Sequence, residues 1–201
     1  MKHRIFSPLR TWLVAIAFPF AALACTGQAR AQESPGITPA VQIGSVQLRL
    51  SGSGKRAIFL FDVYNAALYL PPAAQSPGQI LAGETPRAIE ILTLRDISAY
   101  QLTEALIQAL PLNNSAESLA RQQAEIGQLQ SIITQVAPIK RGSRIRIFFD
   151  GRDTIISRDG IAIGNPIPGK EFNSMLFSIW LGKKPVSMQL KNQLLGLSRT
   201  P

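Results

Sequence analysis

One cysteine and one histidine are all that this 201-residue chain contains, Cys25 and His3. Both fall in a start that has the form of a secretory signal. Lys2, His3, Arg4 and Arg10 make a basic opening, residues 12–24 an apolar centre, and Ala29-Arg30-Ala31 an A-x-A cleavage site. Processing after Ala31 leaves a chain with no imidazole and no thiol. A Ser-His-Asp triad, a cysteine nucleophile, a Cys/His zinc site and a disulfide are then excluded, so no metal or cofactor is expected. Any chemistry falls to Arg, Lys, Tyr, Asp, Glu, Asn, Ser or Thr. A long apolar run is also missing, since the signal core falls well short of the ~20 residues a membrane helix needs. Cleavage after Ala24 would instead leave Cys25 first, the position of a lipid anchor. The residue three before it is Ala22, where leucine is usual, so the lipoprotein is the minor expectation. The expected location is the periplasm, reached through a cleaved signal at residues 1–31.

Acidic residues are scarce, with 12 Asp and Glu against 21 Lys and Arg, a formal net charge of +9. The signal takes four of the basic residues and none of the acidic ones, which leaves about half of that excess. Solubility is the first use of such a charge; anionic small molecules and anionic lipid surfaces are the partners it admits. Lys140, Arg141, Arg144, Arg146, Arg152 and Arg158 cluster along one stretch, and alternation puts Arg144 and Arg146 on one face. We read this as a solvated sheet face, with weak contact to anionic membrane as the alternative. No nucleic-acid partner is expected: that role needs aromatic platforms on the same face, and an exported protein rarely meets nucleic acid.

After a leader at residues 32–40, rich in proline and without apolar period, the folded domain is expected over 41–201. Residues 41–51 alternate as a half-buried strand, with Val46, Leu48 and Leu50 on one face. Ser51-Gly52-Ser53-Gly54 reads as a turn. The run from Lys55 to Pro72, KRAIFLFDVYNAALYLPP, reads as a buried strand pair carrying Tyr64 and Tyr69, with Arg56 at its entrance. A short helical turn is expected at residues 76–81 and a strand at 87–94. Leu102, Leu106, Ile107 and Leu110 then recur at helical spacing behind Ser98, an N-cap, and Pro111 closes that helix. Asn114 and Glu117 suggest a capping-box start for a second helix, with its apolar stripe running from Leu119 to Val136. Strands return at 144–149, 154–157 and 161–164 around Asp150-Gly151 and Asp159-Gly160, an antiparallel meander. Residues 170–195 read as two helices split at 182–185. Strands, helices, strands and helices in that order predict an α+β fold with helices on one face of an antiparallel sheet, and a ligand cavity between the layers.

Three segments carry a family resemblance: Gly54-Lys55-Arg56 followed by VYNAALYLPP at 63–72, LTLRDISAYQL at 92–102, and EFNSMLFSIWLGKKPVSMQLKNQLLG at 171–196. They are similar to the chalcone isomerase-like family, in its bacterial exported branch. The resemblance implies an open-faced β-sandwich, an antiparallel sheet covered by a layer of helices. The family holds plant enzymes that cyclise chalcones to flavanones and non-catalytic relatives that bind fatty acids. In the isomerases an arginine after a Gly-x-Arg turn recognises substrate and a threonine on the next strand helps polarise its ketone. Arg56 matches the arginine, and Tyr64 stands where the threonine would be.

A tyrosine at this place, paired with the arginine, is what the resemblance implies for a fatty-acid carboxylate. A guanidinium fork and a phenol O–H suit an anion in an apolar cleft. The isomerases also set a tyrosine and, seven residues on, an asparagine on a helix over the cleft. Tyr100 is near the first position, but Ile107 stands at the second; in the shifted register the pair is Leu102 and Ala109. Donors that stabilise an enolate are a main source of rate in such chemistry, so their lack weighs against cyclisation. Arg95-Asp96 reads as a local ion pair or a helix N-cap contact. The expected function is a non-catalytic periplasmic binder of a fatty acid or similar amphipathic carboxylate, with Arg56, Tyr64, Tyr69 and Tyr100 as ligand-binding residues. The alternative is an isomerase, an intramolecular lyase acting on a chalcone-like unsaturated ketone.

Overall fold

Two residues that break strand alternation, Ser51 and Val63, organise the first half of the sheet. A computed structural model describes residues 36–72 and 76–197; the signal expectations lie outside these residues. Residues 40–58 are not one strand and a turn. They form β1 (Ala40–Ile43), which turns back through Gly44-Ser45, and a long β2 (Val46–Ile58) that runs straight through Ser51-Gly52-Ser53-Gly54. β3 (Phe61–Leu70) follows through a two-residue turn at Phe59-Leu60.

The pairing shifts between Leu50 and Gly52, so that Ser51 is an extra residue on β2, and again opposite Arg56 and Ala57, where Val63 is extra on β3. Each bulge reverses which parity faces which side. Leu48 faces outward, in contact with Tyr69 and Phe148. Beyond the first bulge Gly52, Gly54 and Arg56 face the helices. The glycines there are not a turn signal. A Cβ on Gly52 would overlap the Gln193 carbonyl and lie 2.8 Å from that of Leu194, and one on Gly54 would overlap the Gln193 side chain. Their role is to let a helix lie against the strand.

β4 (Arg87–Thr93), β5 (Arg144–Phe149) and β6 (Asp153–Arg158) continue the sheet, and β7 (Ile161–Ala162) and β8 (Ile167–Pro168) both pair with β6. The order is β1-β2-β3-β4-β5-β6-β7, antiparallel throughout. Alternate residues Ala66, Leu68 and Leu70 of β3, with Ile89 of β4 and Ile145 and Ile147 of β5, point into one core against the helices. The opposite face holds a smaller cluster of Ala67, Tyr69, Ala88 and Phe148. Residues 36–39, part of the stretch read as a leader, lie on that outer face. Ile37 is buried there, Tyr69 donates to the Thr38 carbonyl at 3.1 Å, and Arg144 donates to that of Gly36 at 2.7 Å.

The expected solvated arginine face is partly covered, and its two strand arginines are paired to a buried acid. Glu90, on the outer face of β4 and 3% exposed, accepts from both Arg144 and Arg146, the latter through Nε at 2.9 Å. Cross-strand register puts Glu90 opposite Arg146, and the buried carboxylate needs its cations. Arg158 and Lys140 are also engaged, with the Val136 carbonyl at 2.6 Å and with Asp96 at 2.9 Å.

The helical layer begins with α1 (Pro77–Ala82) and α2 (Ala99–Ala109), each opened by a serine capping box, Ser76 with Gln79 and Ser98 with Gln101. A 3-10 turn over Leu110–Leu112 ends α2 at Pro111. The second expected helix is two, α3 (Ala116–Arg121) and α4 (Gln123–Val136), broken at Gln122. Its cap is Ser115; Asn114 instead donates to the Leu110 carbonyl at 2.8 Å. α5 (Lys170–Leu181) is buried along most of its length, and α6 (Met188–Leu194) crosses β2 at the glycines.

Gly127, inside α4, is exposed with nothing within 4 Å of a Cβ added there. Gly127→Ala is therefore expected to raise stability by about 0.5–1 kcal/mol in urea unfolding. An unchanged midpoint would mean that α4 is frayed at that turn.

Candidate ligand-binding site

Between sheet and helices lies a cavity of about 510 Å³. Its floor is the helix-facing row of the sheet: Tyr64 from β3, Ile91 and Thr93 from β4, Ile145 and Ile147 from β5, and Ile156 from β6. Its roof is aliphatic, from Leu102 and Leu106 of α2, Ile132 and Ile133 of α4, and Leu176 and Ile179 of α5. Helical spacing explains the α5 contribution, since residues 176, 179 and 180 share one face. Phe172 and Phe177 of the same helix are buried in the core but do not line the space.

The polar side chains gather at one end. Arg56 and Tyr64 are direct cross-strand partners, at the step where Val63 bulges. The Tyr64 oxygen accepts from the Trp180 indole N–H at 3.0 Å, so its own O–H remains available to donate. Burial pushes the Tyr64 phenol above its ordinary value, opposed by the Trp180 bond and by Arg56, so it stays protonated at neutral pH. Arg56 spends one nitrogen on the Ala57 carbonyl at 2.7 Å. The rest of its fork has no partner among the described residues. Arg95, Tyr100 and Gln101 are exposed while lining the same space, which marks where it opens to solvent; Glu104 adds one carboxylate there.

Of the four tyrosine and arginine positions read from the sequence, three meet at this cavity: Arg56, Tyr64 and Tyr100. Tyr69 does not. It lies an odd number of residues from Tyr64 on one uninterrupted strand, so it must face the other side, where it is fully buried against the 36–39 segment. Arg95 and Asp96 do not pair with each other either. Asp96 accepts from Lys140 at 2.9 Å and from the Arg141 amide at 2.8 Å, which draws its carboxyl below the usual range. Arg95 is left facing the cavity.

Trp180 as the partner of Tyr64 was not legible, because nothing in the sequence pairs a strand residue with one 116 positions on. Thr93 was also missed. It is the cross-strand neighbour of Tyr64 and is buried in the floor, but its hydroxyl donates to the Lys140 carbonyl at 2.6 Å. Its proton is thus committed to backbone. Another buried polar group stands outside the cavity: Arg87 of β4 donates to Asn173 of α5 at 2.8 Å and to the Gly83 carbonyl at 2.8 Å. Its guanidinium carbon also lies 4.6 Å from the centre of the Phe149 ring and 5.3 Å from that of Phe177.

A family model described as chalcone isomerase-like matches residues 30–196. The chain belongs to the chalcone isomerase-like family. Among solved structures, the fold is similar to that of a fatty-acid binding protein of Arabidopsis thaliana, with a TM-score of 0.58 and 14% identity over 79% of this chain and 90% of that one. No curated protein sequence matches significantly. The curled antiparallel sheet with its helical cover is thus the chalcone isomerase-like fold, and the cavity lies between its two layers, where the sequence reading expected a cleft. At this identity the likeness speaks for the fold. The chemistry has to be argued from this chain's own cavity.

Proposed function

We propose that this protein is an exported, non-catalytic carrier that holds a fatty acid or similar amphipathic carboxylate, head group at Arg56 and Tyr64 and tail among the aliphatic side chains. The observation that supports this best is the composition of the cavity: a space of about 510 Å³, largely aliphatic on floor and roof, with a guanidinium that has spent one nitrogen and a phenolic O–H without an acceptor among the described residues on neighbouring strands. Two donors on paired strand positions lining an apolar enclosure suit an anion with a hydrocarbon tail. The fatty-acid binding protein of similar fold adds support. An isomerase reading would set Arg56 and Tyr64 on the ketone but also needs a helix-borne donor for the enolate; Ile107 lies outside the cavity, and the Thr93 hydroxyl is already donating to backbone.

Calorimetric titration with a series of saturated fatty acids tests the proposal. Affinity is expected to rise about fourfold per added methylene, from ~0.8 kcal/mol each, until the cavity is full. Arg56→Ala is expected to weaken binding roughly 10- to 150-fold through the loss of a charge-assisted bond, and Tyr64→Phe about fivefold. The matching fatty alcohols should bind the wild type more weakly and be indifferent to Arg56→Ala. Absence of binding at every chain length, or equal affinity in Arg56→Ala, would overturn the carboxylate assignment.

A further inference from the structure

The turn joining β2 to β3 breaks two local rules at once. Two-residue hairpin turns favour glycine or asparagine where φ is positive, yet Phe59 adopts φ 53°. Side chains of this size are normally buried, yet Phe59 is 95% and Leu60 96% exposed, with Phe61 at 66% and Ile58 at 47%. Phe59 and Leu60 thus project almost fully exposed from the end of a long hairpin, flanked by the partly exposed Ile58 and Phe61. A bulky residue held in the left-handed region is retained at a functional position more readily than at a neutral one.

The surroundings say what covers them. Lys55 and Arg56 stand just behind the tip on β2, and Arg95 borders both the main cavity and a small recess formed by Leu60, Phe61 and Asp62. Asp62 is the one acid on the hairpin and is paired with Lys55 at 2.8 Å, which leaves Arg56 and Arg95 in excess. An apolar tip with a cationic collar matches the layering of a membrane surface, hydrocarbon beneath anionic head groups. The tip also adjoins the opening of the cavity, since Ile58 lines that space and Arg95 and Tyr100 stand at its exposed rim.

We infer that residues 58–61 are a membrane-docking tip that inserts into a bilayer containing anionic lipid, bringing the cavity opening to the lipid surface. Exposure and backbone conformation carry it, with Arg95 as the cation that is not shared with the proposed carboxylate site. The positive charge beside the tip is distinct from that of the meander, where Arg144 and Arg146 are bound to Glu90.

The test uses the full chain and sedimentation with phosphatidylcholine vesicles, with and without phosphatidylglycerol. The F59D/L60D variant, compared with wild type so that any contribution of the N-terminal residues cancels, is expected to lose roughly a hundredfold in vesicle partitioning, the equivalent of two apolar side chains left in water. Omission of phosphatidylglycerol should weaken the wild type as well. In a C25S background, an environment-sensitive fluorophore on Leu60→Cys should shift to the blue with vesicles. The same label on Gln47→Cys, exposed near the far end of β2 and roughly 35 Å away, should not shift. Equal partitioning of F59D/L60D and wild type would overturn the inference. So would a blue shift at position 60 that needs no vesicles and grows with protein concentration, which would make the tip a contact between two copies of the chain.

Discussion

Arg87→Ala is expected to lower the unfolding free energy by about 4 kcal/mol, read from the midpoint of chemical denaturation. Arg87 is 1% exposed and, among the described residues, its guanidinium bonds no carboxylate; burial pushes it down to about 10, still charged at neutral pH. What holds it is a set of neutral acceptors and two aromatic rings. Nε donates to Asn173 and Nη1 to the Gly83 carbonyl, while Nη2 has no partner among the described residues. Asn173 in turn donates to Thr154 at 3.0 Å, so β4, α5, β6 and the end of α1 meet at this one side chain. Alanine strands the Asn173 oxygen and opens a void beside Phe149 and Phe177, costs that come to several kcal/mol together. Arg87→Met keeps most of the volume while removing the buried charge, and is expected to recover at least half of the loss. A loss below 1 kcal/mol in Arg87→Ala would show that the hydrogen bonds merely offset desolvation.

Gly52→Ala is expected to cost about 3 kcal/mol, a large effect for one methyl group at a position outside the apolar core. The added carbon meets backbone: it would overlap the Gln193 carbonyl and lie 2.9 Å from the Gly196 nitrogen. Side chains can rotate away from a clash, but a carbonyl at the end of α6 cannot move without lifting the helix from β2. Leu190 and Leu194, both buried, would lose their seat. The same change at Gly78, with nothing within 4 Å, is the control for the general effect of glycine replacement. If Gly52→Ala unfolds at the wild-type midpoint, α6 does not lie on the strand as closely as the structure has it.

How much of this was legible in the sequence depends on whether the signal was local. The Ser98 cap, the strand at 144–149 and the break at 182–185 are set by neighbours within a few positions, and the structure places them where periodicity and capping chemistry predict. The Ser51-Gly52-Ser53-Gly54 reading failed because glycine has two meanings, chain reversal and close approach, and only the second requires knowing that residues 193–196 arrive there. The two tyrosines divide on the same ground. Tyr64 and Tyr69 look alike in a strand taken as buried on both sides, and only the parity of the interval separates cavity from outer face. Arg144 and Arg146 were rightly placed on one side of a strand, but their partner Glu90 lies more than fifty residues earlier, on a strand whose register the sequence does not reveal.

The extra residue at Val63 separates the hairpin into two pieces with independent geometry. From Tyr64 onward β3 is fixed by the core, because Ala66, Leu68 and Leu70 have no other place to go. From Asp62 back to the turn, nothing but pairing with β2 sets the direction. Deleting the bulged residue would therefore keep Asp62 opposite Ala57 and Phe61 opposite Ile58 but remove the local bend, re-aiming the tip while leaving Tyr64 where it stands. Variation by insertion and deletion can thus re-aim the outermost part of this protein without disturbing its interior, as a hinge pin can be moved without rehanging the door.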